Sequence, residues 1–361
     1  MPAIERPTSE ADLLQLLGRE LKARLPQSWD VDLTPEPKFG RYRPDAQLRV
    51  TAPDGVVALI LVEAKTTLNA RDVPAVLTQL QQAASNEAEA PFGPPLVVSR
   101  YIAPRSRELL AEAGASYMDA TGNLRLMLER PAIYLETTGA SRDPWRGPER
   151  ETRTLRGKPA ARVVRALVDF KPPFGVRALS KLSDASLGST YRTVDFLDKE
   201  ALITRAEGGE VVEVNWAELL LRWSEDYSFQ GSNQITAVLE PRGPERILEK
   251  LRGSKAEYAI TGALSARRVT ELAAPKLATI FTPDPGDLAE SLGLHQNGAA
   301  NVLLARPFDD LVFARSEEEA GIRYAALSQT AADLLTGPGR DPAEGKNLIA
   351  WMSANEADWR G

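Results

Sequence analysis

Within Pro44-Asp45-Ala46-Gln47-Leu48-Arg49-Val50-Thr51-Ala52-Pro53-Asp54-Gly55-Val56-Val57-Ala58-Leu59-Ile60-Leu61-Val62-Glu63-Ala64-Lys65, the extended runs 47–51 and 56–63, joined by the turn 52–55, read as a β-hairpin. Two β-rich runs flank an Asp-Gly turn, the strongest short-range hairpin signal. With the turn centred at Asp54, Asp45 lies nine residues before it and Glu63 nine after, so the two face each other across the ladder. Lys65, two residues beyond Glu63, shares its face. Two carboxylates and an ammonium therefore converge on one end of one hairpin. That set suits Mg²⁺, a hard cation that takes one or two carboxylates plus waters and phosphate oxygens. The lysine is placed to orient a water or to stabilise charge on a phosphate.

Before the hairpin, Leu13, Leu14, Leu16, Leu17 and Leu21 mark the apolar face of a helix. After it come a helix over 73–84, a strand over 96–101 and a helix over 104–113. Pro104 suits the first turn of that last helix and Gly114 ends it. Strands over 116–118, 124–128 and near 132–137 complete an α/β domain, 1–138. Pro44-Asp45 and Glu63-x-Lys65 after an apolar strand, followed by a helix, resemble the PD-(D/E)xK nuclease superfamily over roughly residues 36–135. The resemblance implies a restriction-endonuclease-like fold, with Asp45 and Glu63 holding Mg²⁺ and Lys65 assisting phosphodiester hydrolysis. One of Gln79, Gln81 and Gln82 would add a polar side chain. The competing reading is a salt-bridged strand end without catalysis.

Residues 139–158 are rich in Arg, Gly and Pro and read as a basic linker. Beyond it, 159–218 is expected to form three helices (160–170, 176–182, 189–200) and a ribbon of 202–205 with 211–214. That order within about 60 residues is the layout of a winged helix-turn-helix. Its third helix is expected to bury Tyr191, Val194, Leu197 and Phe196, and to point Ser189, Thr190, Arg192 and Thr193 outward at the end that meets base edges. Arg177, Lys181 and Arg205 would hold phosphates, and the linker residues Arg150, Arg153 and Arg156 would form an arm along the DNA. Between Ser141 and Arg205 there are 14 Lys and Arg against 8 Asp and Glu, in a chain of net charge −6. A basic island in an acidic protein is the electrostatic footprint of a phosphate-binding surface.

The remainder, 219–361, reads as an α/β domain with strands over 277–282, 302–305 and 311–314 and closing helices over 328–335 and 343–355. Tyr101-Ile102-Ala103-Pro104, Tyr117-Met118-Asp119-Ala120-Thr121-Gly122-Asn123, Tyr258-Ala259-Ile260-Thr261-Gly262-Ala263, Gly298-Ala299-Ala300-Asn301-Val302, and Ser328-Gln329-Thr330 through Asp333-Leu334-Leu335 to Gly339-Arg340 resemble AbiEi-type antitoxins of type IV toxin–antitoxin systems. That resemblance implies a transcriptional regulator with a DNA-binding winged helix and a cognate toxin as partner. A winged helix placed centrally, behind a nuclease-like domain, departs from the simple pattern.

The 361 residues contain no cysteine and a single histidine, His295, which excludes disulfide scaffolds, zinc ribbons, thiol catalysis and multi-histidine metal sites. His295 reads as a surface or capping residue, and Asp309, Asp310 and Asp333 as too scattered for a metal site. There is no phosphate-loop or dinucleotide fingerprint. No run of 18 apolar residues occurs, so no membrane role is expected and the chain is read as cytoplasmic. The expected fold is multidomain α/β. The expected partner is double-stranded DNA, bound without a cofactor, with a homodimer if the operator is palindromic. A Mg²⁺-dependent endonuclease targeted by the winged helix is the alternative, and a pure interaction protein a third reading.

Overall fold

In this computed structural model a capping box opens the first helix, α1 (Glu10–Arg24): Ser9 Oγ accepts from the Asp12 amide at 3.1 Å, and the Asp12 carboxylate accepts from the Ser9 amide at 3.0 Å. The residues described are 6–37, 43–85, 92–145, 154–271, 274–295 and 298–361. They fall into two compact units, Met1–Arg150 with Lys199–Ala201, and Glu151–Asp198 with Leu202–Gly361.

The first unit is one seven-stranded sheet whose spatial order follows the chain. Its elements are β1 (Asp30–Pro35), β2 (Ala46–Thr51), β3 (Val57–Lys65), α2 (Val73–Ser85), β4 (Leu96–Ser99), α3 (Pro104–Glu112), β5 (Ser116–Asp119), β6 (Leu124–Leu128) and β7 (Ile133–Thr137). β3, β4 and β5 run parallel and every other neighbouring pair is antiparallel. Leu13, Leu17 and Leu21 of α1 cover one face with Leu48, Ile60, Val62, Val98 and Leu126. Helices α2 and α3 cover the other through Val76, Leu80 and Leu110 against Leu61, Val97 and Tyr117. The expected hairpin is present, with Ala46 opposite Val62 and Gly55 at φ +83° in its turn. β1, which carries one buried side chain, Val31, was not expected from the sequence. It adds an edge by pairing with β2.

Asp119 ties this sheet's end together. Its buried carboxylate accepts from the Thr121 amide and hydroxyl, the Asn123 amide and side chain, and the Ile102 amide, at 2.6–3.1 Å. Asn123 in turn accepts from the Gly139 amide at 2.9 Å. A Cβ on Gly139 would stand 2.3 Å from the Thr121 carbonyl oxygen, so only glycine fits there. The expected linker therefore begins anchored. It also ends anchored, because Leu155 is fully buried and its amide donates to Asp226 at 2.7 Å.

The second unit opens with α4 (Lys158–Asp169), α5 (Val176–Leu182), α6 (Leu187–Lys199), the ribbon of β8 (Ile203–Arg205) and β9 (Val211–Val214), α7 (Trp216–Ser224) and α8 (Phe229–Ser232). A mixed six-stranded sheet follows, in the order β10 (Gln234–Val238), β13 (Val302–Arg306), β12 (Ala278–Phe281), β11 (Ala259–Thr261), β15 (Ile322–Tyr324), β14 (Glu317–Glu319). Its helices are α9 (Arg246–Leu251), α10 (Gly262–Ala266), α11 (Pro285–Ser291), α12 (Leu327–Leu335), α13 (Asp341–Ala354) and α14 (Glu356–Trp359). Residues expected as a strand over 311–314 instead form a 3-10 turn, capped by the Asp309 carboxylate on the Leu311 amide.

No core boundary falls at 218. α7 crosses that position, and one apolar cluster joins Val163, Leu167, Leu197, Val211, Leu219 and Trp223 to Leu334, Leu348, Met352 and Trp359. Trp216 meets Trp359 edge to face with centroids 4.9 Å apart. The C-terminal carbonyls of α4 are satisfied from far along the chain. Arg360 donates to Leu167 and Val168, and Arg315 donates to Asp169. Two guanidiniums thus do at this helix end what a glycine cap does elsewhere.

Candidate functional site

Asp45 ends the loop before β2, and Glu63 and Lys65 close β3. The register that pairs Ala46 with Val62 carries Asp45 to Glu63, so the hairpin alone brings the carboxylates together. Asp45 Oδ2 accepts from the Ala64 amide at 2.8 Å, and Lys65 Nζ donates to Glu63 Oε1 at 2.6 Å. Burial raises the Asp45 pKa above the usual carboxylate range; the Ala64 amide opposes this and the neighbouring Glu63 charge reinforces it. Burial works against the Lys65 ammonium, but its hydrogen bond to Glu63 and the charges of Glu63, Asp45 and Glu10 outweigh that and lift its pKa.

Glu10, the first residue of α1, thus belongs to the same electrostatic environment. Sequence reasoning missed it because nothing in its local spacing shows which end of the sheet α1 begins beside. The row continues across the sheet, where the register sets Lys65 beside Ser99 and Ser99 beside Asp119 at the carboxyl ends of β3, β4 and β5. Ser99 is fully buried and its hydroxyl has no hydrogen-bond partner among the described residues. Gln79, Gln81 and Gln82 all lie exposed on α2, so none joins the cluster.

The donor set fits a divalent cation of the Mg²⁺ type. Asp45 and Glu63 offer two hard oxygen donors, and Asp45 Oδ1 has no hydrogen bond among the described residues. Among those residues no three acidic or histidine side chains converge, so waters and a substrate oxygen would complete such an ion's shell.

The second cluster lies on the helices of the expected winged helix. Arg177 and Lys181 on α5 and Arg192 on α6 are exposed, and none has a carboxylate partner among the described residues. Among the described residues Arg192 donates only to Ser189 Oγ, at 3.1 Å. Ser189 is half-buried, its amide held by the Ser186 side chain that opens α6.

Two expectations for α6 are corrected. Thr190 and Thr193 are buried, 0% and 2% exposed, whereas Tyr191 is 49% exposed. The helix phase is set by Val194 and Leu197, each with a threonine four residues earlier on the same face. Thr190 tolerates burial because its hydroxyl donates to the Ser186 carbonyl at 3.0 Å.

The basic island is thinner than its count. Arg165 is buried against Asp169, Arg162 donates to Asp309 and Asp184, and Arg156 faces Asp226 at 3.5 Å instead of extending as an arm. Arg205 folds back on its own turn, donating to the Gly209 carbonyl at 3.2 Å. Arg150 and Arg153 lie outside the described residues.

The motifs of the C-terminal segment form a buried polar chain. Thr261 and Tyr227 each donate to Asp333 at 2.6 Å, Gln329 donates to Asp333 at 2.9 Å, and Arg165 donates to Gln329 at 2.8 Å and to Asp169. Asn301 exchanges two hydrogen bonds with the Glu240 backbone, as a turn residue does. His295 is exposed and, among the described residues, pairs only through its backbone, with Leu239. No helix among the described residues is long and apolar enough to cross a membrane. No family model, curated protein or solved structure matches the chain.

Proposed function

We propose that this chain binds duplex DNA through α5, α6 and the β8–β9 ribbon, as a transcriptional regulator of the antitoxin-like kind. The observation that carries the reading is the set of three cations, Arg177, Lys181 and Arg192, exposed on two consecutive helices without a carboxylate partner among the described residues. Elsewhere in the same segment Arg156, Arg162 and Arg165 are all paired. An N-terminal arginine on the second helix of such a motif reaches base edges, and basic residues on the first hold phosphates.

The test is binding of the full chain to its own upstream DNA across a salt series, without metal. Arg177→Ala and Lys181→Ala are each expected to reduce the salt slope by about one unit, while Arg192→Ala weakens binding in a base-dependent way. Binding that does not respond to salt sinks the reading. A cognate toxin and a second copy of the chain are further partners under this proposal.

The convergence of Asp45, Glu63 and Lys65 favours a second reading, metal-assisted phosphodiester hydrolysis by the first unit. Asp45 and Glu63 would hold Mg²⁺, which supplies polarisation of a phosphate oxygen and a water of lowered pKa. Lys65 would then leave Glu63 to stabilise charge on the scissile phosphate. Supercoiled plasmid nicked with Mg²⁺ or Mn²⁺, and left intact by Asp45→Ala, Glu63→Ala and Lys65→Ala with DNA binding preserved, is the expected result. Intact plasmid with the unaltered chain would leave the carboxylates as a structural pair.

A further inference from the structure

In the second unit the exposed large apolar side chains among the described residues are Leu182, Leu187, Tyr191 and Val212, and all four belong to the helix-turn-helix and its ribbon. Leu187 and Tyr191, 40% and 49% exposed, stand one turn apart at the start of α6 and so share a face. Gly188 lies between them. A Cβ there would meet only the Arg192 guanidinium, at 3.7 Å, so this turn presents bare backbone beside two apolar side chains. The same two helices carry three exposed cations, Arg192 on α6 and Arg177 and Lys181 on α5, none of them neutralised by a carboxylate among the described residues.

An apolar pair on a helix-turn-helix that carries three exposed, unpaired cations suits a polyanion whose recessed surface carries apolar groups. The major groove of DNA is such a surface, and the only apolar group its base edges present is the thymine C5 methyl. Resting on the DNA-binding reading above, we propose that Leu187 and Tyr191 read thymine methyl groups, so the preferred duplex carries thymine beneath the first turn of α6. The bare turn at Gly188 lets the helix approach closely enough for both side chains to reach. Arg192, held by Ser189, sits alongside to take a neighbouring guanine.

The experiment selects duplexes from a random-sequence pool with the full chain, then replaces each thymine of the enriched duplex by uracil, one at a time. Removing a buried methyl is expected to weaken binding about four-fold at one or two positions and nowhere else. Leu187→Ala and Tyr191→Ala, at exposed positions that fold without them, are expected to bind the thymine and uracil duplexes equally while keeping the salt slope. Salt-sensitive binding with no uracil-sensitive position, or uracil sensitivity that survives both substitutions, overturns the proposal. Uracil-insensitive binding together with a dimer lost in Tyr191→Ala also overturns it and assigns the patch to a second copy. A pool not retained even at low salt is a different failure, that of DNA binding itself.

Discussion

Asp333 is the most perturbed carboxyl of the second unit. Burial raises its pKa to about 7, against the lowering effect of hydrogen bonds from Thr261, Tyr227 and Gln329 and of the Arg165 charge. Desolvation wins because three neutral donors replace less than the hydration a carboxylate gives up. Unfolded, the group titrates near 3.8. Between about pH 4 and 7 the folded chain therefore holds a proton that the unfolded chain has released, and stability falls as pH rises through that window. Asp333→Asn mimics the protonated acid. Its melting temperature is expected to gain on that of the unaltered chain as pH is raised from 4 to 8, with the difference levelling off above 7. Parallel melting curves would mean that the carboxylate is charged in the fold.

The same residue shows where sequence reasoning stops. Arg165 and Gln329 are 164 positions apart, and no local spacing brings them together. Tyr191 and Thr190 fail for another reason. Hydrophobicity ranks tyrosine above threonine for the core, but Thr190 satisfies its hydroxyl within its own helix and so takes the buried position.

Among the elements, the β2–β3 hairpin was the most legible. Its turn residues and its alternation both specify one register, and a slip by one residue would turn every core side chain outward. That register carries Asp45 to Glu63 without help from the rest of the sheet. β1 was not legible, since an edge strand with one buried residue has almost no pattern to read.

The α12–α13 pair depends on a contact that no periodicity shows. A Cβ on Gly345 would lie 2.9 Å from the Leu335 amide nitrogen and 3.1 Å from Leu334 Cβ. Backbone cannot yield as a flexible side-chain tip would, so Gly345→Ala forces the helices apart. A loss of about 1–3 kcal/mol is expected, read as a lowered denaturant midpoint at unchanged slope. An unchanged midpoint would mean that the crossing is looser than its geometry.

At the scale of the whole chain, the residues fall into two compact units, where the sequence was read as an α/β domain, a linker, a winged helix and a second α/β domain. The step from one unit to the other, between Arg150 and Glu151, falls inside the stretch 139–158 that its Pro, Gly and Arg content marked as a linker, whereas position 218 lies within one continuous core. Helices α4, α6 and α7 and the β8–β9 ribbon share their apolar interior with α12, α13 and Trp359, and Arg165, Gln329 and Asp333 add polar bonds across the same region. Amides of α4, α7, α12 and α13 are therefore expected to exchange hydrogen with one common opening free energy. Exchange of α4 and α7 well before α12 and α13 would show that the first part of the unit opens by itself.

The caps on α4 also set an order of events during synthesis. Val168 leaves the ribosome 192 residues before Arg360, the side chain that closes its carbonyl. At 5–20 residues per second that interval is about 10–40 s. For that time α4 has an open end, and Leu167 and Val163 lack the apolar partners that α12 and α13 later provide. The nascent chain would thus leave this end of α4 unfinished until Arg360 itself has been made.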